Sequence, residues 1–319
     1  VHGHGHTGGI VGSTYADLDD CHMNGNVSND ASYRYYTGGV TGQNMADMSD
    51  CSMSGEVVAA NYDVRYVGGV VGSNEAGATM TDSVFTGTKV QANESTYVGG
   101  IAGYNGGVIT FSSTYEMAGA VSSWWSSVGG IIGEQSNTAV LNGDFNFTGS
   151  VYSRDGGNVG GIIGCNTQTI ACPWNITASG TVTGVSSVGG LFGYNSMDLT
   201  GYDISADVVG RGGDHIGGIV GYNTADGTIQ SCSTSGTVGG ANFTGGIAGR
   251  NYGQIIDCDY KGTSIGSHGY SYVGGLVGVN DGTLKTNTPY TMMCNVDGGN
   301  YTGGVVGYNT AGSSMEGSY

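Results

Sequence analysis

Short apolar segments recur along the chain, and each is bounded by glycine, asparagine, aspartate or serine. The most regular segment reads as a β-branched residue, two glycines, two mostly apolar residues and a third glycine, as in VGGIAG at residues 98–103. No stretch keeps apolar residues at helical spacing for three turns, whereas short β-branched runs between turn residues are typical of strands. The pattern therefore predicts an all-β chain in which each copy of the segment supplies two or three short strands.

The copies follow one another at a nearly fixed spacing. The second glycine of the pair occurs eleven times, in steps of 28 to 31 residues, at positions 9, 39, 69, 100, 130, 161, 190, 218, 246, 275 and 304. A fixed period of this kind indicates a solenoid or a propeller, but a propeller blade needs about 40 residues for its four strands. We therefore predict one domain over residues 1–319, a parallel β-solenoid (β-helix) of about ten to eleven coils with incomplete first and last coils. Right-handed winding follows from the general rule for parallel crossovers.

In such a solenoid, equivalent residues of successive coils stack about 4.8 Å apart. The aliphatic residue after each glycine pair should form an interior ladder. Two consecutive apolar positions there predict a bend or bulge, because strict alternation would expose one of them. The glycines either adopt positive φ or let neighbouring backbone approach closely, and the sequence leaves both explanations open.

Asparagine recurs two positions after the third glycine, where stacked amides can bond to one another and to backbone groups at a turn. Nine copies carry it: Asn44, Asn74, Asn105, Asn166, Asn195, Asn223, Asn251, Asn280 and Asn309. The other two copies carry Thr14 and Gln135 there. We predict a structural asparagine ladder along the solenoid.

Composition and charge exclude several functions. The net charge is −17, from 8 Lys and Arg against 25 Asp and Glu, so no basic face is available for nucleic acid. No apolar run approaches the roughly 18 residues of a membrane span. We expect no enzymatic activity and no cofactor, although the acidic surface could hold Ca²⁺ loosely. The acidic group around Asp17, Asp19, Asp20, Asp47 and Asp50 is interpreted as a solvated turn.

The repeat resembles a known family. IGGIVGYN at 216–223 and VGGLVGVN at 273–280 are similar to the GLUG-type repeat, and IQSCSTSGTV at 229–238 is similar to its second half. That repeat occurs in large bacterial and archaeal surface proteins, adhesin-like proteins and some secreted peptidases, whose catalytic domains are separate. The resemblance implies a cell-surface role and brings no catalytic residues.

Several features fit an extracellular location after removal of a signal peptide. The sequence starts at Val1 rather than Met, and it contains six Asn-x-Ser/Thr acceptor sites. The predicted glycosylation sites are Asn26, Asn93, Asn146, Asn175, Asn242 and Asn300.

Seven cysteines are disulfide candidates: Cys21, Cys51, Cys165, Cys172, Cys232, Cys258 and Cys294. Cys21 and Cys51 occupy one column of adjacent coils, and Cys232, Cys258 and Cys294 are predicted to share that column in three consecutive coils. Stacked Cα atoms lie within disulfide range, although parallel Cβ vectors make the geometry imperfect. We favour a Cys21–Cys51 bond. Cys258 can pair with either Cys232 or Cys294, and Cys165 and Cys172 can bridge locally. The alternative is a column of free thiols packed as small apolar groups.

Two further groups carry candidate chemistry. His2, His4 and His6 fall on one face of an extended segment and are weak candidates for copper or zinc, the alternative being a polar strand at a junction. A tyrosine slot beside the asparagine column faces either outward, towards sugars or other fibrils, or into the core. Its members are Tyr104, Tyr194, Tyr222 and Tyr308.

The two ends of the sequence suggest self-assembly. Fifteen positions follow Gly304 and nine lead up to Gly9, so a tail meeting a head would supply 24 residues of a 28- to 31-residue coil. We predict a structural subunit of an extracellular fibre or surface filament that stacks head to tail as a homopolymer. The alternative is the stalk or repeat region of a surface adhesin that binds glycans or other cells, and the sequence is also compatible with a fragment of a longer array.

Overall fold

The chain forms a parallel β-solenoid. The computed structural model describes residues 1–30, 35–125, 127–167, 175–266, 269–291 and 293–319. In these ranges every strand pairing is parallel and joins one copy of the repeat to the next, and no helix is present. The predicted architecture is therefore confirmed, with about ten turns, while its right-handed winding stays a prediction. None of the described elements is a helix long and apolar enough to cross a membrane.

Each coil passes through five walls, which we name A to E in chain order from the glycine pair. Wall A leads into the pair and comprises Thr7–Gly8, Tyr36–Gly38, Ser127–Gly129, Gly157–Gly160, Ser186–Gly189, Asp214–Gly217, Asn242–Gly245, Val273–Gly274 and Thr302–Gly303. Wall B follows the pair and comprises Val11–Thr14, Thr41–Asn44, Val71–Asn74, Ala102–Asn105, Ile132–Gln135, Ile163–Asn166, Phe192–Asn195, Val220–Asn223, Ala248–Asn251, Val277–Asn280 and Val306–Asn309. Wall B is a single eleven-stranded sheet, and each copy of the repeat contributes one strand to it.

The remaining walls complete the coil. Wall C comprises Leu18–Asp19, Met48–Ser49, Thr79–Thr81, Val108–Thr110, Val140–Asn142, Asp198–Thr200, Thr228–Gln230, Gln254–Ile256, Thr283–Lys285 and Ser314–Glu316. Wall D comprises His22–Met23, Ser52–Met53, Val84–Phe85, Tyr115–Met117, Phe145–Phe147, Ile176–Ala178, Asp203–Ile204, Ser233–Thr234 and Asp259–Tyr260. Wall E returns to wall A and comprises His2–Gly3, Val27–Asn29, Ala120–Ser123, Ser150–Ser153, Thr181–Gly184, Asp207–Gly210, Val238–Gly239, Ser264–Gly266 and Asn295–Asp297. Two long strands, Val57–Gly68 and Lys89–Gly99, run through walls E and A without a break.

At the glycine pair, the backbone lies very close to other backbone segments of the same coil and of the next coil. A Cβ added to Gly68 would lie 1.9 Å from the carbonyl oxygen of Val71 in its own coil. A Cβ added to Gly130 would lie 2.0 Å from the carbonyl oxygen of Gly161 in the next coil. Neither glycine has positive φ. Close approach is therefore the reason for glycine at these positions, which answers the question that the sequence left open.

The predicted bend after the pair is confirmed. Ile131 and Ile132 are consecutive in sequence, and both are fully buried. Their two amides donate to the same acceptor, the carbonyl oxygen of Ile162 in the next coil, at 2.9 and 3.0 Å. Two successive donors that share one acceptor turn the chain at a corner, so both side chains enter the core instead of alternating.

The acidic turn that joins walls C and D lies in solvent. Asp20, Asp50, Asp82 and Asp257 have φ between 47° and 52°, a left-handed conformation that short polar side chains tolerate. The five acids of the predicted solvated turn, Asp17, Asp19, Asp20, Asp47 and Asp50, are all exposed, but only Asp20 and Asp50 lie between walls C and D, because the other three lie in or just before wall C. Several corner carboxylates bind the next coil: Asp257 accepts from the backbone N–H of Asn287 at 2.6 Å, which lowers the pKa of its carboxyl.

Candidate functional site

The asparagine column forms a chain of amide hydrogen bonds inside wall B. Asn44 donates to Asn74 at 3.0 Å, and Asn74 donates to Asn105 at 2.9 Å. In the C-terminal half the chain continues without interruption through Asn195, Asn223, Asn251, Asn280 and Asn309, with donor–acceptor distances of 2.8 to 2.9 Å. The amides also bond to turn backbone, as Asn223 does to the carbonyl oxygen of Gly227 at 2.9 Å. The column thus fixes both the turn and the register between coils.

The two copies without asparagine keep the column polar. Gln135 is fully buried and accepts a hydrogen bond from Asn105 at 3.4 Å. Thr14 uses its hydroxyl to accept from the backbone N–H of Ala16 at 3.1 Å. Each substitute therefore satisfies a turn or ladder contact that the asparagines make elsewhere.

Two cysteine pairs stack between adjacent coils as predicted. Cys21 lies beside Cys51, because the next residues, His22 and Ser52, are partners in wall D. Cys232 lies beside Cys258 for the same reason, and burial raises the pKa of the Cys258 thiol.

The predictions for Cys294, Cys165 and Cys172 are not confirmed. The assignment of Cys294 to the Cys232 column was wrong, because Cys294 is in register with Thr263, next to the partners Ser264 and Asn295 in wall E. The cause is the longer connection after Lys285 in that copy. It moves Cys294 from the position before wall D to the position before wall E. Cys165 faces outward in wall B, where burial and the Glu134 carboxylate raise the pKa of its thiol to about 12. Its predicted partner Cys172 lies outside the described residues.

Mild oxidation is expected to cross-link Cys21 to Cys51 and Cys232 to Cys258. The six described cysteines are free thiols, and each of the two pairs sits one coil apart at a spacing that permits an S–S bond. The measurement is peptide mass mapping after treatment with copper phenanthroline, without reduction. A Cys258–Cys294 cross-link would contradict the register of wall E.

An aromatic surface lies on the outside of wall A in two stretches, which Ser127, Asn158 and Ser187 separate, and it was not among the features predicted from the sequence. The residue just before the β-branched position forms one column: His6, Tyr36, Tyr66, Tyr97, Ser127, Asn158, Ser187, His215, Phe243, Tyr272 and Tyr301. Consecutive rings contact one another, with centroids 5.0 Å apart for Tyr36 and Tyr66 and 4.8 Å apart for Tyr272 and Tyr301. Writing the copies under one another at this slot would have revealed it.

The tyrosine slot of wall B joins this surface, so its rings face outward. Tyr104 stacks on Tyr66 with centroids 5.0 Å apart, and Tyr308 lies against Tyr301 at 5.5 Å. Tyr194 and Tyr222 stack on each other at 5.4 Å with nearly parallel planes. Of the two orientations left open by the sequence, the outward one is therefore correct.

The C-terminal half of the wall A column is strained. His215, Phe243, Tyr272 and Tyr301 all have positive φ, between 50° and 64°. Bulky side chains adopt this conformation only at a cost of about 1–2 kcal/mol each. Four consecutive coils therefore hold an aromatic residue in a conformation that glycine would adopt freely.

His215 is neutral at physiological pH. The pKa of its imidazole is lowered to about 4, mainly by burial. Arg250 lowers the pKa as well, while the carboxylates of Asp214 and Asp281 act in the opposite direction. Its ring stacks on Phe243 with centroids 5.2 Å apart. The buried Nε2 has no hydrogen-bond partner among the described residues.

Stability should fall as the pH drops from about 6.5 towards 4, and His215 should contribute to that fall. In this range the unfolded chain binds a proton at His215 that the folded chain excludes, while above pH 6.5 both states are neutral. After discounting for partial exposure, we expect a contribution of about 1–2 kcal/mol. The measurement compares urea unfolding at pH 7.5 and 4.5 for the wild type and His215→Asn, which tolerates the backbone conformation. An equal loss in both proteins would contradict the assignment.

The three histidines at the start of the chain do not act as one group. His2 and His4 converge on Asp30 of the next coil, with His2 Nε2 3.2 Å from the Asp30 carboxylate. His6 turns away and lies against Tyr36 in the aromatic surface, with centroids 4.7 Å apart. Asp30 could not be recognised from the sequence, because its proximity to the two histidines depends on the register between the first two coils.

The predicted glycosylation sites differ in exposure. Asn26, Asn175 and Asn300 are exposed, whereas Asn93, Asn146 and Asn242 are half-buried. The Asn93 amide is also engaged, since it donates to the carbonyl oxygen of Ala60 at 2.7 Å. Glycosylation remains a prediction, and the exposed sites suit it best.

Comparison with known proteins gives one match. The family model described as the GLUG motif matches residues 63–91 and 212–239. No curated protein matches the chain, and no solved structure matches it either. Both matched segments cover the wall A strand, the glycine pair, wall B and the walls that follow, which is the unit seen throughout the solenoid. Two copies of the repeat therefore match the GLUG motif, and the chain is similar to GLUG-type repeat proteins in these segments.

Proposed function

We propose that this chain is a structural subunit of an extracellular filament, in which the end coil of one copy pairs with the first coil of the next. A GLUG-repeat β-solenoid fits a surface or structural protein, and the proposal adds self-association as a homopolymer. Ten coil-to-coil junctions already repeat one pattern of parallel pairing in wall B. Another junction of the same kind needs only a second copy.

The repeated parallel pairing of wall B carries the proposal, because a second copy can continue it. The last wall B strand, Val306–Asn309, pairs on one side only, with Val277–Asn280. The first, Val11–Thr14, likewise pairs only with Thr41–Asn44. An open strand edge is a template for pairing, and a heterologous contact that does not close makes a fibre.

The side chains at these two edges match the interior columns. Ile10 is 40% exposed although its equivalents in the interior coils are buried in the aliphatic ladder. Asn309 accepts a hydrogen bond from Asn280 and leaves its own amide free to donate onward to an equivalent of Thr14. Stacking two copies would bury both residues in the environment their interior equivalents have. The net charge of −17 opposes association of two copies, so the strand pairing has to outweigh this repulsion.

Gly304 supplies a direct test. In the interior of the same column an added Cβ meets the next coil's glycine carbonyl oxygen, at 2.0 Å for Gly130 and 2.4 Å for Gly246. At Gly304 an added Cβ meets no atom of residues 1–30, 35–125, 127–167, 175–266, 269–291 and 293–319 within 4 Å. Gly304→Ala should therefore leave the fold intact and block a second copy from stacking on that edge.

The experiment is electron microscopy and sedimentation velocity of the wild type, Gly304→Ala and the control Gly266→Ala. A Cβ added to Gly266 also has no atom of the described residues within 4 Å, but Gly266 lies in wall E of an interior coil. Wild type and control are expected to form filaments with an axial repeat of about 50 Å, which is eleven coils of about 4.8 Å each, while Gly304→Ala stays monomeric and folded. Monomeric wild type at micromolar concentration, or filaments of Gly304→Ala, would overturn the proposal.

A second candidate is the stalk of an adhesin, and the aromatic surface favours it. The outward-facing rings provide flat apolar faces with polar edges, which suit sugar rings. Tyr301 is 55% exposed and Tyr308 is 42% exposed, next to a strained column whose cost calls for a functional explanation. A glycan array should then show sugar-specific binding that Tyr272→Ala and Tyr301→Ala abolish. Tyr15→Ala is the control, since Tyr15 is 82% exposed and outside this surface.

A further inference from the structure

We propose that His2, His4 and Asp30 form a binding site for a divalent transition metal such as Zn²⁺, which would join the first coil to the second. The three side chains each offer one ligand atom, and these atoms all lie within 4.8 Å of one another. Two imidazole nitrogens and a carboxylate oxygen are a donor set that zinc and related metals favour, with a fourth position left for water. This inference does not depend on the proposed filament.

The register of wall E creates the cluster. His2–Gly3 pairs with Val27–Asn29 so that His2 lies opposite Ser28, and the backbone N–H of Asp30 donates to the carbonyl oxygen of Gly3 at 3.2 Å. Side chains two residues apart on a strand point to the same face, so His2 and His4 emerge together. Asp30 continues the neighbouring strand on that face, one coil away.

Hydrogen bonds around the cluster orient the first ligand. His2 Nδ1 lies 2.9 Å from the Ser28 hydroxyl, while that hydroxyl donates to the carbonyl oxygen of Val1 at 3.4 Å. The hydroxyl oxygen is thus available to accept from His2 Nδ1–H. In that arrangement Nε2 carries the free lone pair and faces Asp30 at 3.2 Å. A second hydrogen bond that fixes the tautomer is the usual support of a metal-binding histidine.

The remaining ligands are held close to it. His4 Nδ1 contacts the other carboxylate oxygen of Asp30. The His2 and His4 rings meet edge to face, with centroids 5.0 Å apart. Asn29 donates from its side chain to the carbonyl oxygen of Gly5 at 2.9 Å and to the Thr37 hydroxyl at 2.8 Å, which holds the turn that follows His4. The ligands therefore come from a backbone that is fixed on both coils, and small side-chain rotations bring them to a common ion.

A single histidine elsewhere on the surface, His22, provides a matched control. His22 Nδ1 contacts the Ser52 hydroxyl at 2.8 Å, and its Nε2 lies 2.9 Å from Asp20. This arrangement repeats the serine–histidine–aspartate contacts of His2 but lacks a second histidine. It should therefore bind a transition metal much more weakly.

The test is equilibrium dialysis of the whole chain, without a polyhistidine tag, against zinc chloride, followed by metal analysis. We expect one Zn²⁺ per chain, and we expect His4→Ala and Asp30→Asn each to weaken binding by at least about tenfold. His6→Ala and His22→Ala should leave it unchanged. NMR of the imidazole carbons should show shifts at His2 and His4 on zinc addition, and circular dichroism should confirm that each variant is folded.

Two results would overturn the site. One is the absence of stoichiometric binding to the folded wild type. The other is a loss of affinity in His6→Ala or His22→Ala as large as in His4→Ala, since that would indicate non-specific binding to surface histidines.

Discussion

Replacing Gly130 with alanine is expected to destabilise the central coils by about 3–5 kcal/mol. The added Cβ would lie 2.0 Å from the carbonyl oxygen of Gly161 and 2.7 Å from the ring of Phe147. Backbone in the next coil cannot rotate away as a side chain can, so the two coils must separate. That separation breaks the two hydrogen bonds that the Ile131 and Ile132 amides donate to Ile162, and it opens the core beneath these side chains.

The measurement is hydrogen exchange combined with urea unfolding. Solenoids lose structure from one coil to the next, so amides of the coils around Gly130 should lose protection before those of distant coils. Gly266→Ala is the matched glycine substitution, because its added Cβ has no atom within 4 Å in the part of the chain that the structure describes, and it should change stability by less than about 1 kcal/mol. Equal effects of the two substitutions would contradict close approach as the reason for the glycine pair.

Replacing Asn223 with alanine is expected to cost about 3–5 kcal/mol. The Asn223 amide donates to Gly227 and to Asn251 and accepts from Asn195, all at 2.9 Å, and the side chain is fully buried. Alanine leaves the Asn251 amide oxygen and one N–H of the Asn195 amide unpaired away from water, whereas the Gly227 carbonyl oxygen keeps its bond from the Gln254 N–H. Each such group costs about 1–3 kcal/mol, so the loss exceeds that of an ordinary hydrogen bond.

Asn309→Ala is the control in the same column. Asn309 is exposed and accepts a single bond, from Asn280 at 2.8 Å, so water can replace it in the monomer. We expect a loss below about 1 kcal/mol, measured by urea unfolding under conditions that keep the protein monomeric. If Asn223→Ala were as mild as Asn309→Ala, the ladder would not hold the coils in register.

The sequence predicted those parts of the fold that repeat. A column such as the asparagines is visible as a fixed offset from the glycine pair, and the offset holds because one coil is one copy. The same reasoning failed for Cys294, since that copy adds residues after Lys285 and removes them before the next glycine pair. Copy length alone does not show at which corner an insertion lies.

The candidate sites were less predictable, because they depend on distances between coils. His2 and His4 were found from their spacing, but Asp30 joins them only through the pairing of wall E. The outward direction of Tyr222 depends on the bend after the glycine pair, which sets the face that each following residue occupies. The role of Gly130 was ambiguous for the same reason: its φ and its distance from Gly161 are properties of the assembled solenoid.

The stacking of equivalent residues is tested most directly by electron–electron distances along one exposed column of wall E. Lys89 is the fixed position, and Thr237, Ser264 and Asn295 lie five, six and seven coils further along the same register. With spin labels placed there through an unnatural amino acid, separations of roughly 24, 29 and 34 Å are expected, a rise of about 4.8 Å for each coil. Separations that do not grow by one strand spacing per copy would contradict the solenoid, and with it the ladders and the stacked cysteine pairs.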